Sequence, residues 1–380
     1  MKSIMQKDLW SITSFLENKN YKFNKENIFT QLPEKFIDEA IKAISSWDNY
    51  APTPLVKLNK LNDELKFKNI YYKDEDKRFD LKSFKALGGA FAVYKIASEK
   101  KNITVSTATA GNHGRSVAWG AQRLGLKCKI FISEFVSESR AEAMRKLDAE
   151  VIRVKGNYDN SLKECIKQSK ENNWEIVQDV SWEGYKEVPK LIMAGYTIMI
   201  KEILDEVKSN SISHVFLQAG VGGMAAAMIA GFAKLSQNIP KFIIVEPENA
   251  DCVFQSIKNN KPTSVDIKKE TVMGGMSCGD VSSIAWEILK NSSNYCLTIS
   301  DEAISTTVAL LAEKRLSDEK IIAGECAVPG IIALISSFNN KEYLDKLELN
   351  EQSNVLLFGC EGLTDSAMYQ KLLSDGLQKI

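Results

Sequence analysis

The sequence predicts an α/β fold with two doubly wound, mostly parallel sheets. Three observations lead to this prediction. From residue 69 onward, short apolar runs alternate with amphipathic stretches, a pattern typical of parallel strands joined by crossover helices. The chain has 380 residues, more than one typical domain. Its hydrophobic content of 44% is ample for a buried core, so one large or two interlocked α/β domains are expected.

The elements follow in chain order. The first fifty residues look helical, with apolar side chains at helical spacing over residues 32–44, and Pro52 and Pro54 then end this region. The next part predicts strands at residues 70–72, 104–106, 128–132, 151–154 and 175–177, with helices at 87–97, 114–124, 137–147 and 159–171.

The second half repeats the alternation and predicts a second sheet. Strands are expected at residues 214–218, 241–246 and 355–359, and helices at 224–235 and 304–311. A long helix over residues 188–207 is expected at the seam between the two sheets.

Composition excludes several classes of function. Lys plus Arg equals Asp plus Glu at 49 each, so the chain lacks the basic excess of a protein that binds nucleic acid or an acidic membrane. No apolar run reaches the roughly 18 residues of a membrane-spanning helix, and the first residues lack the apolar core of a secretion signal. We expect a cytoplasmic protein with a small-molecule partner.

Cysteine and histidine usage narrows the chemistry further. The seven cysteines show no CxxC spacing, which favours buried reduced thiols. His113 and His214 are the only histidines, too few for a metal site built from histidine ligands, so no metal is expected. The absence of a GxSxG elbow argues against a serine hydrolase.

One lysine stands out in the segment of residues 73–89. Lys85 lies between a charged loop and a Gly-Gly step that opens a hydrophobic helix. A lysine amine can act both as a nucleophile toward an aldehyde and as a general base. A solvated surface lysine is the alternative, but Phe84, Leu87 and the glycines indicate a packed site.

Two glycine-containing turns supply what an aldehyde cofactor needs. Residues 220–224, Gly-Val-Gly-Gly-Met, follow an apolar strand and open a helix, an arrangement that binds phosphate. A dinucleotide loop would need a third glycine where Ala225 stands, although Glu246, at the end of the next strand, keeps nucleotide binding open as an alternative. A tight turn that binds no ligand is a second alternative. In residues 107–115, Asn112 could donate to a phenolate oxygen, or cap the helix, and His113 could be a core residue. Together with Lys85, these turns indicate a pyridoxal phosphate enzyme.

The chain resembles the diaminopropionate ammonia-lyase family, within the tryptophan-synthase-like pyridoxal phosphate enzymes of fold type II. The resemblance covers most of the chain and is carried by residues 73–79, 83–90, 111–119, 177–185 and 220–226. The Lys-Arg-Phe run and the pattern Gln-Asp-x-x-Trp-Glu-Gly-Tyr are specific to these lyases, whereas Gly-Asn-His and the glycine loop recur across the superfamily.

The resemblance implies an architecture and a reaction. It implies a large domain that binds pyridoxal phosphate, residues 1–84 plus 195–380, a small domain, residues 85–194, and a homodimer. The implied reaction is the α,β-elimination of ammonia from 2,3-diaminopropionate or a related β-substituted amino acid, with pyruvate and ammonia as products.

The resemblance also implies roles for individual residues. Lys85 would form the Schiff base and remove the α-proton, and Asp179 would position or protonate the leaving amine, unless it is a turn or N-cap aspartate. The implied cofactor contacts are Phe84, Asn112, Gly220, Val221, Gly222, Gly223, Met224 and Cys360, with Asn112 at O3′ and the thiol beside the pyridine nitrogen. The implied substrate contacts are Ala110, Gly111, His113 and Tyr185.

Four positions depart from the family pattern. Ala110 stands where the lyases carry an aspartate that serves as the base for the D-isomer, which favours selectivity for the L-isomer. Ala194, Cys326 and Leu363 replace an expected glutamine, serine and aspartate, which favours a smaller or less charged substrate. A serine or threonine dehydratase and a non-catalytic small-molecule-binding relative remain alternatives.

Overall fold

The computed structural model describes residues 8–207 and 211–380. Its strands are β1 (Ile12–Glu17), β2 (Leu55–Lys57), β3 (Asn69–Asp74), β4 (Thr104–Ala108), β5 (Lys127–Ser133), β6 (Glu150–Val154), β7 (Glu175–Ile176), β8 (His214–Gln218), β9 (Lys241–Pro247), β10 (Tyr295–Ile299) and β11 (Asn354–Gly359). Its α-helices are α1 (Lys25–Gln31), α2 (Glu34–Ser45), α3 (Asn59–Leu65), α4 (Lys85–Glu99), α5 (Asn112–Arg123), α6 (Glu138–Arg145), α7 (Tyr158–Asn172), α8 (Glu187–Tyr196), α9 (Ile198–Glu206), α10 (Gly223–Leu235), α11 (Cys252–Asn259), α12 (Ser283–Ser292), α13 (Ile304–Ala312), α14 (Pro329–Asn339), α15 (Lys341–Leu347) and α16 (Ser366–Leu377).

The described strands form two sheets. The larger has the order β1-β10-β9-β8-β11-β3-β2, and its interior strands are parallel, whereas β1 and β2 are antiparallel edges. The smaller has the order β6-β5-β4-β7 and is parallel throughout. The interior strands β8 and β11 are buried along their whole length, as parallel strands covered on both faces must be. The predicted α/β class with two mostly parallel sheets is confirmed.

The two sheets draw on different parts of the chain. The strands of the smaller sheet lie within residues 104–176, and those of the larger sheet lie before and after that segment. The domain boundaries at residues 85 and 195 remain a prediction. Among the described residues, no helix combines the length and apolar character needed to cross a bilayer.

The prediction that the first fifty residues are helical was wrong for one segment. Residues 12–17 form β1, which pairs antiparallel with β10 and closes one edge of the larger sheet. Its side chains are half-buried or exposed, so the segment lacks the strict apolar alternation by which a strand is recognised. The part of this prediction that concerns residues 1–7 lies outside the described residues.

The single helix predicted over residues 188–207 was also wrong, because α8 and α9 are separate. They meet at Thr197, whose hydroxyl donates to the carbonyl of Ala194 at 2.6 Å. A threonine that binds a neighbouring carbonyl in this way competes with the regular helical pattern. On the near side of this break, α8 packs beside α4.

Glycines set how closely α4 and α8 pack. A β-carbon on Gly88 would lie 2.5 Å from the carbonyl oxygen of Ile192, and one on Gly195 would lie 2.8 Å from the α-carbon of Gly88. Both distances are too short for any larger residue. The Gly-Gly step after Lys85 is therefore a close-contact surface, which fixes the start of α4 against α8.

A buried ion network anchors the loop between β3 and α4. The Arg78 guanidinium donates to Glu75 Oε2 at 2.8 Å and to both carboxylate oxygens of Glu202 at 2.8 Å. Lys73 Nζ reaches Glu202 Oε2 at 2.6 Å. All four side chains are buried, and their charges sum to zero. The network ties the loop that leads to Lys85 to α9.

Candidate active site

Lys85 lies where the two sheets meet. The residue before it, Phe84, donates its backbone N–H to the carbonyl of Cys360 at 3.0 Å, just after β11. The carbonyl of Lys85 accepts from the hydroxyl of Ser116 on α5 at 2.5 Å. The Lys85 side chain is 27% exposed, so it borders a crevice and does not extend freely into solvent.

The predicted site residues all follow the carboxyl ends of strands. The loop after β3 leads to Lys85, the turn after β4 carries Asn112, Asp179 follows β7, the glycine turn follows β8, and Cys360 follows β11. Ligands of open parallel sheets bind at this end of the strands. The structure therefore brings together residues that are nearly 280 positions apart in sequence.

Lys85 and Asp179 form the central ion pair. Lys85 Nζ donates to Asp179 Oδ2, and the carboxylate is only 13% exposed. Burial opposes the charge on Lys85, but the carboxylate of Asp179 raises the pKa of its amine overall. Burial likewise opposes ionisation of Asp179, but the charge and hydrogen bond of Lys85 lower its pKa below the usual range. Asp179 is therefore an ionised acceptor for a cationic amine.

His113 places a second hydrogen-bond acceptor close to Asp179. Its Nε2 lies 2.7 Å from the carbonyl of Val177, so Nε2 carries the proton and donates it there. Its Nδ1 lies 3.7 Å from Asp179 Oδ2 and has no hydrogen-bond partner among the described residues. Burial lowers the pKa of His113, which keeps the ring neutral and leaves a lone pair on Nδ1.

Asn112 is the first residue of α5 and is held by Glu361. Its Nδ2 donates to Glu361 Oε2 at 2.6 Å. The other carboxylate oxygen of Glu361 accepts from the backbone N–H of Cys326 at 3.1 Å. Glu361 therefore fixes the orientation of the Asn112 amide, a role that its place in the sequence did not reveal.

The glycine turn at 220–224 opens α10. Gly222 has φ +89°, a left-handed conformation that favours glycine, and a β-carbon there would lie 2.8 Å from Leu289 Cδ1. A β-carbon on Gly223 would meet nothing closer than the carbonyl oxygen of Asp179, at 4.0 Å. The first N–H groups of a helix have no intrahelical acceptor, so the open space before Gly223 faces unpaired donors beside Asp179.

Cys360 and Cys326 lie together at the end of β11. The Cys360 thiol donates to the carbonyl of Cys326 at 3.2 Å, and Gln218 Nε2 donates to the same carbonyl at 2.9 Å. Burial, with Glu361 close by, raises the pKa of the Cys360 thiol, which keeps it neutral. The seven cysteines are unpaired, and all but Cys278 are buried.

The predicted substrate contacts differ in their surroundings. Gly111 is buried directly before α5, and the adjacent Ala110 is exposed. The carbonyl of Ala110 accepts from Arg140 Nη1 at 3.4 Å. The Tyr185 hydroxyl accepts from the N–H of Gln178 at 2.9 Å and donates to the carbonyl of Ile176 at 2.8 Å, so backbone groups already occupy it. A substrate contact from Tyr185 remains a prediction.

Sequence reasoning missed two further residues at this site. Tyr196, the last residue of α8, packs against Phe84 with ring centroids 4.7 Å apart. Cys278 Sγ would lie 3.0 Å from a β-carbon on Gly220. Neither residue belongs to a motif with a recognised chemical role, although Tyr196 follows the Ala194 position that departs from the family pattern.

Comparison with known proteins identifies the family. A family model described as pyridoxal-phosphate dependent enzyme matches residues 47–361. The chain belongs to this family of pyridoxal-phosphate-dependent enzymes, and pyridoxal 5′-phosphate is the cofactor.

Individual relatives extend this result. The diaminopropionate ammonia-lyase of Escherichia coli (strain K12) is 32% identical over an alignment of 385 positions that covers 95% of this chain and 96% of the relative. The enzyme of that name from Salmonella typhimurium is 34% identical over an alignment of 360 positions that covers 86% of this chain and 89% of the relative. The crystal structure of the Escherichia coli enzyme in complex with an aminoacrylate-PLP azomethine reaction intermediate has a TM-score of 0.89 at 31% identity, covering 97% of this chain and 99% of that one.

The same fold occurs in more distant proteins. The processed form of threonine deaminase isoform 2 from Solanum lycopersicum has a TM-score of 0.79 at 21% identity, covering 98% of this chain and 94% of that one. At this level of identity the likeness concerns the fold alone.

The residues present fit pyridoxal 5′-phosphate. The amine of Lys85 is available for an aldehyde, and the open space before Gly223 at the start of α10 can take a phosphate. The Asn112 amide and the neutral Cys360 thiol are polar groups at the carboxyl ends of β4 and β11. No group at these positions has chemistry that excludes the cofactor.

Proposed function

We propose that this protein eliminates ammonia from L-2,3-diaminopropionate or a closely related β-substituted amino acid and releases pyruvate and ammonia. The observation that carries the proposal is an acceptor pair: the Asp179 carboxylate, which accepts from the Lys85 amine, and the unpaired Nδ1 of His113, 3.7 Å from Asp179 Oδ2. A second ammonium on the substrate is the group that this pair binds best. The name borne by the relatives from Escherichia coli and Salmonella typhimurium supports the same substrate.

Each residue of the site has a proposed task. Lys85 holds the cofactor covalently and later, as a free amine, takes the proton from the α-carbon of the substrate. Pyridoxal phosphate, when bound, supplies the electron sink for the charge left at that carbon. Asp179 holds the β-ammonium beside the α-carbon and keeps it positioned to leave as ammonia.

The remaining contacts bind and orient. The phosphate of the cofactor would be held by backbone N–H groups of the glycine turn, Gly220, Val221, Gly222, Gly223 and Met224. Phe84 would pack beside the cofactor ring. Asn112, fixed by Glu361, binds O3′. The neutral Cys360 thiol would lie beside the pyridine nitrogen of the bound cofactor and leave it unprotonated, which would favour elimination over transamination.

The stereochemical part of the proposal depends on Ala110. A methyl group at this position offers no base, so only the face served by Lys85 can lose a proton. We expect L-2,3-diaminopropionate to be turned over and the D-isomer to react at least 100-fold more slowly. Ala110→Asp is expected to gain activity on the D-isomer while keeping activity on the L-isomer.

The test measures pyruvate and ammonia release from both isomers and from L-serine. Lys85→Ala is the blank, and Lys101→Ala, at an exposed lysine, is the matched control that keeps activity. Equal turnover of both isomers by the wild-type protein would rule out the stereochemical argument. Release from L-serine together with none from either diaminopropionate isomer would show a dehydratase instead.

We also propose that the chain forms a homodimer, as the resemblance led us to expect, and that it acts in the cytoplasm. The mass in solution, measured by light scattering on the holoenzyme, tests the dimer. A mass equal to one chain of 42.4 kDa contradicts it.

A further inference from the structure

Tyr196, the last residue of α8, is a buried tyrosine close to the start of α4. The residue is 2% exposed, and its hydroxyl oxygen has no hydrogen-bond partner among the described residues. Leaving a buried hydroxyl unpaired is unfavourable, so such a group in a native protein calls for an explanation. Phenylalanine would fill the same space without that cost.

The ring of Tyr196 lies against the residues that surround Lys85. It packs on Phe84, which directly precedes the lysine, with centroids 4.7 Å apart. Its Cε1 would lie 2.5 Å from a β-carbon on Gly88, so that glycine makes room for the ring one turn after the lysine. Lys85 Nζ lies 5.5 Å from the centroid of the same Phe84 ring. The Tyr196 ring and the Lys85 amine therefore both lie near the Phe84 ring, and the two side chains interact electrostatically.

The charges of the site also act on Tyr196. Burial raises the pKa of its phenol, with Lys85 lowering it and Asp179 raising it. The hydroxyl consequently keeps its proton at neutral pH. It is a neutral group that can both accept and donate a hydrogen bond, beside an amine and a carboxylate that change partners during the reaction.

We propose that Tyr196 is a catalytic residue whose hydroxyl hydrogen-bonds to the amine of Lys85 while this amine takes the α-proton of the substrate. This inference rests on the proposed function. The bond between the α-carbon and hydrogen breaks, its electron pair stays with the α-carbon, and the proton forms a new N–H bond on Lys85. The phenol oxygen accepts from this nitrogen and directs its lone pair toward the substrate, so Tyr196 keeps its own proton throughout.

The deciding variant is Tyr196→Phe, with Tyr295→Phe as its matched control. Tyr295 is 8% exposed, and its hydroxyl donates to the carbonyl of Lys346 at 2.7 Å, so this hydroxyl has an internal partner. Three quantities are measured for both variants: the Tm of the cofactor-free protein, the rate at which the absorbance band of bound pyridoxal phosphate grows after mixing, and kcat with KM.

For Tyr196→Phe we expect an unchanged or higher Tm, because the variant removes an unpaired polar group. We expect pyridoxal phosphate uptake and kcat to fall about 10-fold or more, with KM changed less than about twofold, because the lost hydrogen bond acts on the Lys85 amine. Tyr295→Phe is expected to lower Tm and to leave uptake and kcat as in the wild type.

A wild-type kcat or a wild-type uptake rate in Tyr196→Phe overturns the proposal. The proposal is also overturned if Tyr196→Phe lowers Tm as much as Tyr295→Phe does, or fails to fold. Either result would show that the Tyr196 hydroxyl already has a hydrogen-bond partner within the protein. If the wild-type protein takes up the cofactor but releases no ammonia from any tested amino acid, the proposed function fails. Uptake rate and Tm still decide the contact between Tyr196 and Lys85 in that case.

Discussion

Lys85 and Asp179 form an ion pair that joins the start of α4 to the loop after β7, and so links the two sheets. The glycine turn lies beside this pair, since the carbonyl of Asp179 is the atom nearest to a β-carbon built on Gly223. The Asp179 carboxylate and the Lys85 amine therefore lie next to the proposed phosphate site.

Asp179→Asn tests the proposed role of this carboxylate. The amide keeps the shape but loses the negative charge that holds a substrate ammonium, so we expect kcat/KM for L-2,3-diaminopropionate to fall about 100-fold. Steady-state kinetics measures the loss, and Lys101→Ala serves as the control. A variant with unchanged kcat/KM would show that Asp179 is a turn residue without a part in the reaction.

Gly223→Ala tests the phosphate site without disturbing the fold. The added methyl group meets no atom within 3.4 Å and sits in a helix, so the cofactor-free protein should be as stable as the wild type. The methyl group does, however, occupy the proposed phosphate space, and we expect the affinity for pyridoxal phosphate to fall about 10-fold or more.

The neighbouring Gly222→Ala provides the contrast for this prediction. Its φ of +89° and its 2.8 Å approach to Leu289 predict a lower thermal stability. Titration of the cofactor absorbance and thermal unfolding separate the two effects. Wild-type cofactor affinity in Gly223→Ala would place the phosphate elsewhere.

Arg78→Met tests the buried ion network beneath the loop to Lys85. Removing the guanidinium leaves Glu75 and Glu202 buried with only Lys73 as a cationic partner. We expect the free energy of unfolding to fall by about 3–5 kcal/mol. Urea unfolding measures the change, and a loss below about 1 kcal/mol would mean that the network contributes little.

His214 makes stability depend on pH. Burial lowers the pKa of its imidazole from 6.5 to about 4, while its Nε2 lies 2.9 Å from the carbonyl of Leu347. The unfolded chain therefore binds this proton more readily than the folded one, and stability falls as pH drops from 6.5 toward 4. A shift of this size corresponds to about 3 kcal/mol.

The non-titrating variant His214→Gln isolates this contribution. Its unfolding free energy, measured by urea unfolding at several pH values, should decline less steeply than that of the wild type between pH 6.5 and 4. Parallel pH curves for the two proteins would contradict the assignment to His214.

The sequence predicted the sheets and the motifs because both depend on local pattern. Alternating strands and helices and the glycine turn at 220–224 are visible in short windows, and their placement at strand ends follows from the topology of parallel sheets. The half-exposed β1 lacks such a local signal, because its pairing with β10 decides it. The break at Thr197 was missed because the apolar pattern continues through it, although the Thr197 hydroxyl bonds to a neighbouring carbonyl there.

The side chains that orient the site residues could not be predicted either, because they lie far from those residues in sequence. Asn112 and Glu361 are 249 positions apart, and only the fold brings their side chains to 2.6 Å. That the Tyr196 hydroxyl lacks a partner is likewise a property of three-dimensional packing. Sequence patterns named the residue types that carry chemistry but did not reveal the side chains that orient them.

The central claim is that the amine of Lys85 carries pyridoxal 5′-phosphate. The most direct measurement is borohydride reduction of the holoenzyme, followed by proteolysis and mass spectrometry of the labelled peptide. The account predicts loss of the visible absorbance band and a pyridoxyl label on Lys85 alone, absent from Lys85→Ala. A label on another lysine, or no label at all, would contradict it.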